Sequence, residues 1–139
     1  WVWHEQGVQV FDRSTPFSGA VVGAVALGGA IGATGRWAVA TVIAERWPHE
    51  VGGWPWATLI VNIVGALAIG FAARGLERDT QRWAFIVTGV LCGFTTVSAL
   101  AVELNDMADA DRLPLAIGYG AITLVAGVAA TMIAGRSTP

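Results

Sequence analysis

Residues 83–102 read WAFIVTGVLCGFTTVSALAV, twenty residues without a charged side chain. At 1.5 Å of rise per residue, about 20 helical residues cross the ~30 Å hydrocarbon core of a bilayer. The centre of this stretch, Gly93-Phe94-Thr95-Thr96-Val97-Ser98, suits a helix badly. Glycine costs backbone entropy there, and the β-branched and hydroxyl side chains restrict rotamers or compete for backbone hydrogen bonds. A break in the helix is therefore expected at membrane depth. Such a break is tolerated only where it is buried in protein or lines a cavity.

The same absence of charge recurs on either side. Residues Ser14–Gly35, Val51–Ala73 and Leu113–Gly135 also carry no Asp, Glu, Lys or Arg. Over the 139 residues, 55% are hydrophobic and 13% charged, where soluble domains carry roughly 25% charged residues. A soluble helical bundle would need charges recurring along the outer face of each helix, and none recur. The sequence is read as an all-α integral membrane protein with four transmembrane helices, the third broken mid-membrane.

Residues 1–17 are read as a polar N-terminal tail, 18–135 as the membrane domain and 136–139 as a C-terminal tail. The expected helices run over about 18–44, 56–73, 83–104 and 113–134. The tail lacks the charged-then-apolar order of a signal peptide, and the first apolar span is long enough to stay in the membrane. Helix 1 holds Gly28 and Gly32, spaced to let a neighbouring backbone approach closely. Arg36, near its far end, can snorkel or pair with a neighbour's polar group. Trp37, Trp47, Trp54, Trp56 and Trp83 lie near span ends, as expected of aromatic belts. With four spans both termini share a side. That side collects Arg13, Arg74, Arg78, Arg82 and Arg136, against Arg46 and Arg112, with Arg36 if it reaches out, on the other. The positive-inside rule then favours both termini in the cytoplasm, with the spans surrounded by membrane lipid.

No catalytic constellation is visible, so no enzymatic activity is expected. His4 and His49 have no Cys or carboxylate at metal-ligand spacing, Ser98 has no His in its own span, and no basic run suggests nucleic acid. Cys92 is the single cysteine and makes no internal disulfide. What stands out is a set of uncharged polar residues inside the spans: Asn62, Thr95, Thr96, Ser98, Tyr119 and Thr123. No carboxylate sits mid-span. Cation and proton pathways generally require one, whereas an anion pathway can be built from amide and hydroxyl donors. A small, strongly hydrated anion would need several donors to replace its water. The alternative for each of these groups is a hydrogen bond that holds two helices together.

Three segments resemble the signatures of the Fluc/CrcB fluoride channels. They are Gly28-Gly29-Ala30-Ile31-Gly32-Ala33-Thr34-Gly35-Arg36-Trp37, then Thr58-Leu59-Ile60-Val61-Asn62-Ile63-Val64-Gly65, then Thr88-Gly89 through Gly93-Phe94-Thr95-Thr96-Val97-Ser98 to Glu103. Tyr119 and Thr123 are similar in spacing to that family's helix-4 polar pair. The resemblance implies an antiparallel, dual-topology dimer with two narrow fluoride paths, formed with an identical or homologous subunit. It implies an anion pathway through Asn62, Thr96, Ser98, Tyr119 and Thr123. Arg36 and Glu103 would be polar structural groups, the latter near a pore end. A structural sodium ion at the dimer centre would be held by the backbone carbonyls of Cys92 and Thr95.

The sequence departs from the family pattern at the positions of two pore phenylalanines, which are Val97 and Leu100 here. Ala99, Cys92 and Ala57 replace a Thr and two glycines of the pattern. Aliphatic side chains lack the electropositive ring edge of phenylalanine, and Phe94 falls at another helical position. The function expected is passive fluoride export across the cytoplasmic membrane, with a homologous partner supplying the aromatics. The alternatives are a small four-span multidrug exporter and a non-conducting membrane assembly protein. The exporter requires a buried helix-1 Glu, and no carboxylate precedes Glu45 in that helix.

Overall fold

The computed structural model describes residues 18–48, 50–78 and 80–136. His4, His49, Arg13, Asp79 and both expected tails up to 17 and beyond 136 lie outside the described residues. Helix α1 (Gly19–Arg46) starts at Ser18, whose hydroxyl accepts the Val21 N–H. Helix α2 (Trp56–Gly75) follows a loop containing Gly52 at φ +73, a backbone conformation that glycine adopts without steric cost. The third span begins with α3, made of Gln81–Trp83, wide π-helical turns over Ala84–Leu91, and Cys92–Phe94. Thr95 and Thr96 are then extended, at φ/ψ of −76/160 and −148/123. Helix α4 (Val97–Asp109) resumes after them, and α5 (Leu113–Arg136) completes the chain.

Four helical segments are long and apolar enough to cross a membrane: Gly19–Arg46, Trp56–Gly75, Gln81–Asp109 and Leu113–Arg136. Among the described residues there is no strand. The chain is therefore a multi-pass helical membrane protein, as the charge gaps require. Large apolar side chains such as Leu27 and Ile31 on α1, and Leu124, Val125 and Val128 on α5, are exposed, which suits contact with lipid.

The helices pack in two pairs, α1 against α3 and α2 against α5. Small residues explain the first pair. A Cβ at Gly28 would collide with the Phe85 carbonyl oxygen, and one at Gly32 with that of Val90. From the other side, a Cβ at Gly93 would lie 2.7 Å from the Gly29 carbonyl oxygen. Lipid gives helices no hydrophobic reason to associate, so contact must come from close backbone approach, which only glycine permits here. In the second pair Gly70 faces Ala134 and Thr131. Thr131 Oγ1 shares its proton between the Ala66 and Gly127 carbonyls at 3.1 and 3.0 Å, linking α2 to α5. Arg74 Nη1 donates to the Ala134 carbonyl at 3.3 Å and helps to close the end of α5. At the opposite end, Arg112 Nη1 donates to the Gly52 carbonyl at 3.3 Å and ties two loops together.

Candidate functional site: a groove beside the α3–α4 junction

An open groove of about 430 Å³ runs between α2, α5 and the start of α4. Its lining is mostly apolar, with Val97, Leu100, Leu124 and Val128, and the polar side chains of Asn62, Thr95, Thr96 and Thr123 are set among them. The helices of origin explain the convergence. Asn62 projects from the middle of α2, where Gly65 lets Thr95 come close enough that any Cβ at 65 would collide with its methyl group. The chain interruption then lies directly against α2.

Asn62 holds that interruption in place. Its Nδ2 donates to the Thr96 carbonyl at 3.0 Å, and its Oδ1 accepts the Thr96 N–H at 2.8 Å. The side-chain amide thus pairs with both backbone groups of one extended residue, much as a neighbouring strand would. Nδ2 carries two hydrogens, so one remains for the groove. Thr96 caps α4, its hydroxyl accepting the Ala99 N–H at 3.1 Å, and it lies 3.2 Å from the hydroxyl of Ser98. Whichever hydroxyl of that pair donates to the other, the second keeps a hydrogen for a ligand.

The remaining hydroxyls have internal partners. Thr95 donates to the Leu91 carbonyl at 3.1 Å and Thr123 to the Tyr119 carbonyl at 2.8 Å. Thr123 therefore meets the groove with its oxygen lone pairs. Tyr119 does not reach the groove lining. It is fully buried one turn away, donates to Glu103 Oε2 at 2.9 Å, lies 3.4 Å from the Pro55 carbonyl and packs edge-on against Trp54 with ring centroids 5.2 Å apart. Glu103 also accepts a short hydrogen bond from Thr58. Thr58 was not singled out from the sequence. The up-and-down order of the spans carried the signal, because the start of α2, the end of α4 and the start of α5 share one end of the bundle. A carboxylate there draws its hydroxyl donors from those neighbours.

Other expected positions divide as follows. Arg36 Nε donates to the Gly93 carbonyl at 3.3 Å, so α1 is tied to the last turn of α3. Val97 is 79% exposed at the groove edge, Ser98 is exposed, and Leu100 is buried in the core with Leu59, Met107 and Tyr119. Phe94 is not among the groove-lining residues and lies near Gly35 of α1 and Gly65 of α2. No aromatic side chain lines the groove among the described residues, and no carboxylate does.

The carbonyls of Cys92 and Thr95 have a distinct status. In a continuous helix they would accept the N–H groups of Thr96 and Ala99. Those donors turn instead to Asn62 Oδ1 and Thr96 Oγ1. Both oxygens therefore lose their helical donors at one place, and hard carbonyl oxygens freed in this way are the ligand type an alkali cation takes.

The fold defines a multi-pass helical membrane protein with a few polar side chains gathered at one largely apolar groove. A family model described as "CrcB-like protein, Camphor Resistance (CrcB)" matches residues 23–135, and the chain belongs to that family. Among similar proteins, "Fluoride-specific ion channel FluC 2" of Streptomyces avermitilis is 42% identical over 113 residues, covering 75% of this chain and 66% of that protein. "Fluoride-specific ion channel FluC" of Hyphomonas neptunium is 40% identical over 114 residues, covering 78% of this chain and 87% of its own. "Fluoride-specific ion channel FluC 1" of Streptomyces coelicolor is 42% identical over 118 residues, covering 82% and 74%. The exporter and assembly-protein alternatives find no support in these matches.

Proposed function

We propose that the chain is one subunit of a channel that lets fluoride leave the cell passively. The observation that carries this reading is the character of the groove lining. Asn62 brings a spare amide hydrogen to it, and Thr96 brings a hydroxyl paired with that of Ser98 just outside the lining, beside the N-terminus of α4. A helix N-terminus bears a partial positive charge, and polar donors with no carboxylate among them favour an anion over a cation. The names of the relatives supply the identity of the ion.

A single subunit leaves the groove open on one side, and Val97 stands exposed at its edge. A second subunit, packed antiparallel, would close the groove into a path. Because Val97 and Leu100 are aliphatic and Phe94 does not line the groove, this chain brings no ring edge to it. A homologous partner carrying aromatics there would supply it. The extended residues Thr95 and Thr96 would be the mid-membrane break. The carbonyls of Cys92 and Thr95 would hold a structural sodium ion together with their counterparts in the partner. That ion would supply fixed positive charge at the subunit contact and stiffen the junction. Both termini would face the cytoplasm from the cytoplasmic membrane, on the side where Arg74, Arg78 and Arg82 collect.

Tyr119, Thr58 and Glu103 would shape one end of the path rather than strip water from the ion, because their hydroxyl protons point at the carboxylate. The Asn62 amide does two things at once. It fixes the interruption, and it aims its spare N–H at the passing ion.

The test is reconstitution in liposomes of the chain alone and with a homologous subunit that carries phenylalanine at both positions. Fluoride efflux that rises strongly when the partner is present supports the paired arrangement. Full efflux from the chain alone would overturn the need for a partner while leaving the channel reading in place.

A further inference from the structure

The geometry points to a binding site for one anionic phospholipid on the outer face of α1 and α3. A groove of about 420 Å³ lies between these helices, lined by Gly23 and Leu27 on one side and by Phe85 and Ile86 on the other. It ends at Gln81 and Arg82. The same two residues line a second, more polar hollow of about 580 Å³ formed with the α2–α3 loop, where Glu77 and Thr80 also lie. An apolar slot thus runs into a polar chamber, with a guanidinium at the junction. That is the layout of an acyl chain and a charged headgroup.

Arg74, Arg78, Arg82 and Arg136 lie at this end of the molecule, and of these Arg82 lines both hollows. Arg74 is engaged with the Ala134 carbonyl. Arg78 lies over the Trp83 ring, 5.7 Å from its centroid. Arg82 is exposed and makes no hydrogen bond, ion pair or ring contact among the described residues. It stands next to Trp83, a residue type that marks the headgroup level of a bilayer. Basic pockets between helix ends at that level suit lipid phosphates, and an Arg can bind a phosphate through two parallel N–H bonds. Glu77 also lines the chamber and opposes an anion, so the headgroup would be held by Arg82.

Gly23 makes the slot. A Cβ there would meet nothing within 4 Å, so the space beside it is open rather than filled by α3, in contrast with Gly28 five residues further along. A large side chain at 23 would therefore enter the groove without disturbing the helix pair. This gives a steric variant to set beside a charge variant.

The experiment uses the full chain in nanodiscs of phosphatidylglycerol and phosphatidylcholine mixed in equal parts, with retained lipid counted by native mass spectrometry after mild detergent extraction. Preferential retention of one phosphatidylglycerol is expected. Arg82→Gln should lower that retention about five-fold, the value of one cation near an anionic lipid surface, and Arg82→Lys should keep most of it. Gly23→Leu should also lower it, with Arg82 intact and the helical circular dichroism unchanged. Equal retention of the two lipids, or retention unaffected by Arg82→Gln, would overturn the site. Loss with Arg82→Gln but not with Gly23→Leu would overturn the groove as the acyl seat. Displacement of the lipid by inorganic phosphate alone would equally count against a lipid site.

Discussion

Replacing Asn62 with Ala removes the one side chain that pairs with both backbone groups of Thr96. The bonds are of ordinary length, 3.0 and 2.8 Å, and both serve a residue with no helical partner for its N–H. An unsatisfied buried backbone group costs about 1–3 kcal/mol. Side-chain hydrogen bonds between membrane helices average only ~0.6 kcal/mol, because the unfolded chain finds other partners in the membrane. The Thr96 groups sit at an interruption, where other partners are scarce, so the loss should fall nearer the first figure. For the pair we expect about 2–4 kcal/mol. Asn62→Asp sharpens the test. It keeps an acceptor for the Thr96 N–H but sets a second oxygen against the Thr96 carbonyl, so it should destabilise at least as much as Ala. The assay is reversible unfolding in mixed micelles, followed by tryptophan fluorescence from the Trp54–Tyr119 region. A loss below about 0.5 kcal/mol for Asn62→Ala would refute the reasoning, as would an Asp variant more stable than the Ala variant.

Other outcomes follow from the same contacts. Gly32→Ala drives a Cβ into the Val90 carbonyl and should cost about 1–3 kcal/mol. Gly29→Ala, whose Cβ would meet nothing within 4 Å, should be neutral or slightly stabilising in the same assay. Glu103→Ala strands the Thr58 hydroxyl and leaves Tyr119 only its long contact with the Pro55 carbonyl, so it should destabilise more than Tyr119→Phe, which removes one donor and leaves Thr58 on the carboxylate. Val97→Phe, at a site 79% exposed, should raise fluoride efflux from the chain alone with no loss of stability. Leu100→Phe, in the packed core, should cost about 1–3 kcal/mol by overpacking.

Four membrane-length helices were legible because charge is a coarse signal and lipid enforces it strictly. Gly28 and Gly32 announced close packing for the same reason, although their partner could not be read: the i, i+4 spacing names a face of α1 and not the helix it meets. Asn62 stood out as a polar group too costly to leave unpaired. That its amide would clamp the backbone of Thr96 depends on Gly65 letting α2 and Thr95 meet, a tertiary contact with no local trace. The hydroxyl inventory was also legible as composition but not as chemistry. Thr95, Thr123 and Tyr119 direct their protons to Leu91, Tyr119 and Glu103, which is settled by rotamer and helix geometry rather than by spacing. The π-helical turns over Ala84–Leu91 left no mark in the apolar run that forms them.

The most direct test of the central claim is fluoride efflux, read with a fluoride electrode, from liposomes holding this chain together with an aromatic-bearing homologous subunit, with chloride efflux measured in parallel. The account predicts rapid fluoride release, no matching chloride release, and a marked fall in fluoride release when Asn62 is replaced by Ala in this chain. No fluoride release from the paired subunits, or chloride release as fast as fluoride, would contradict it.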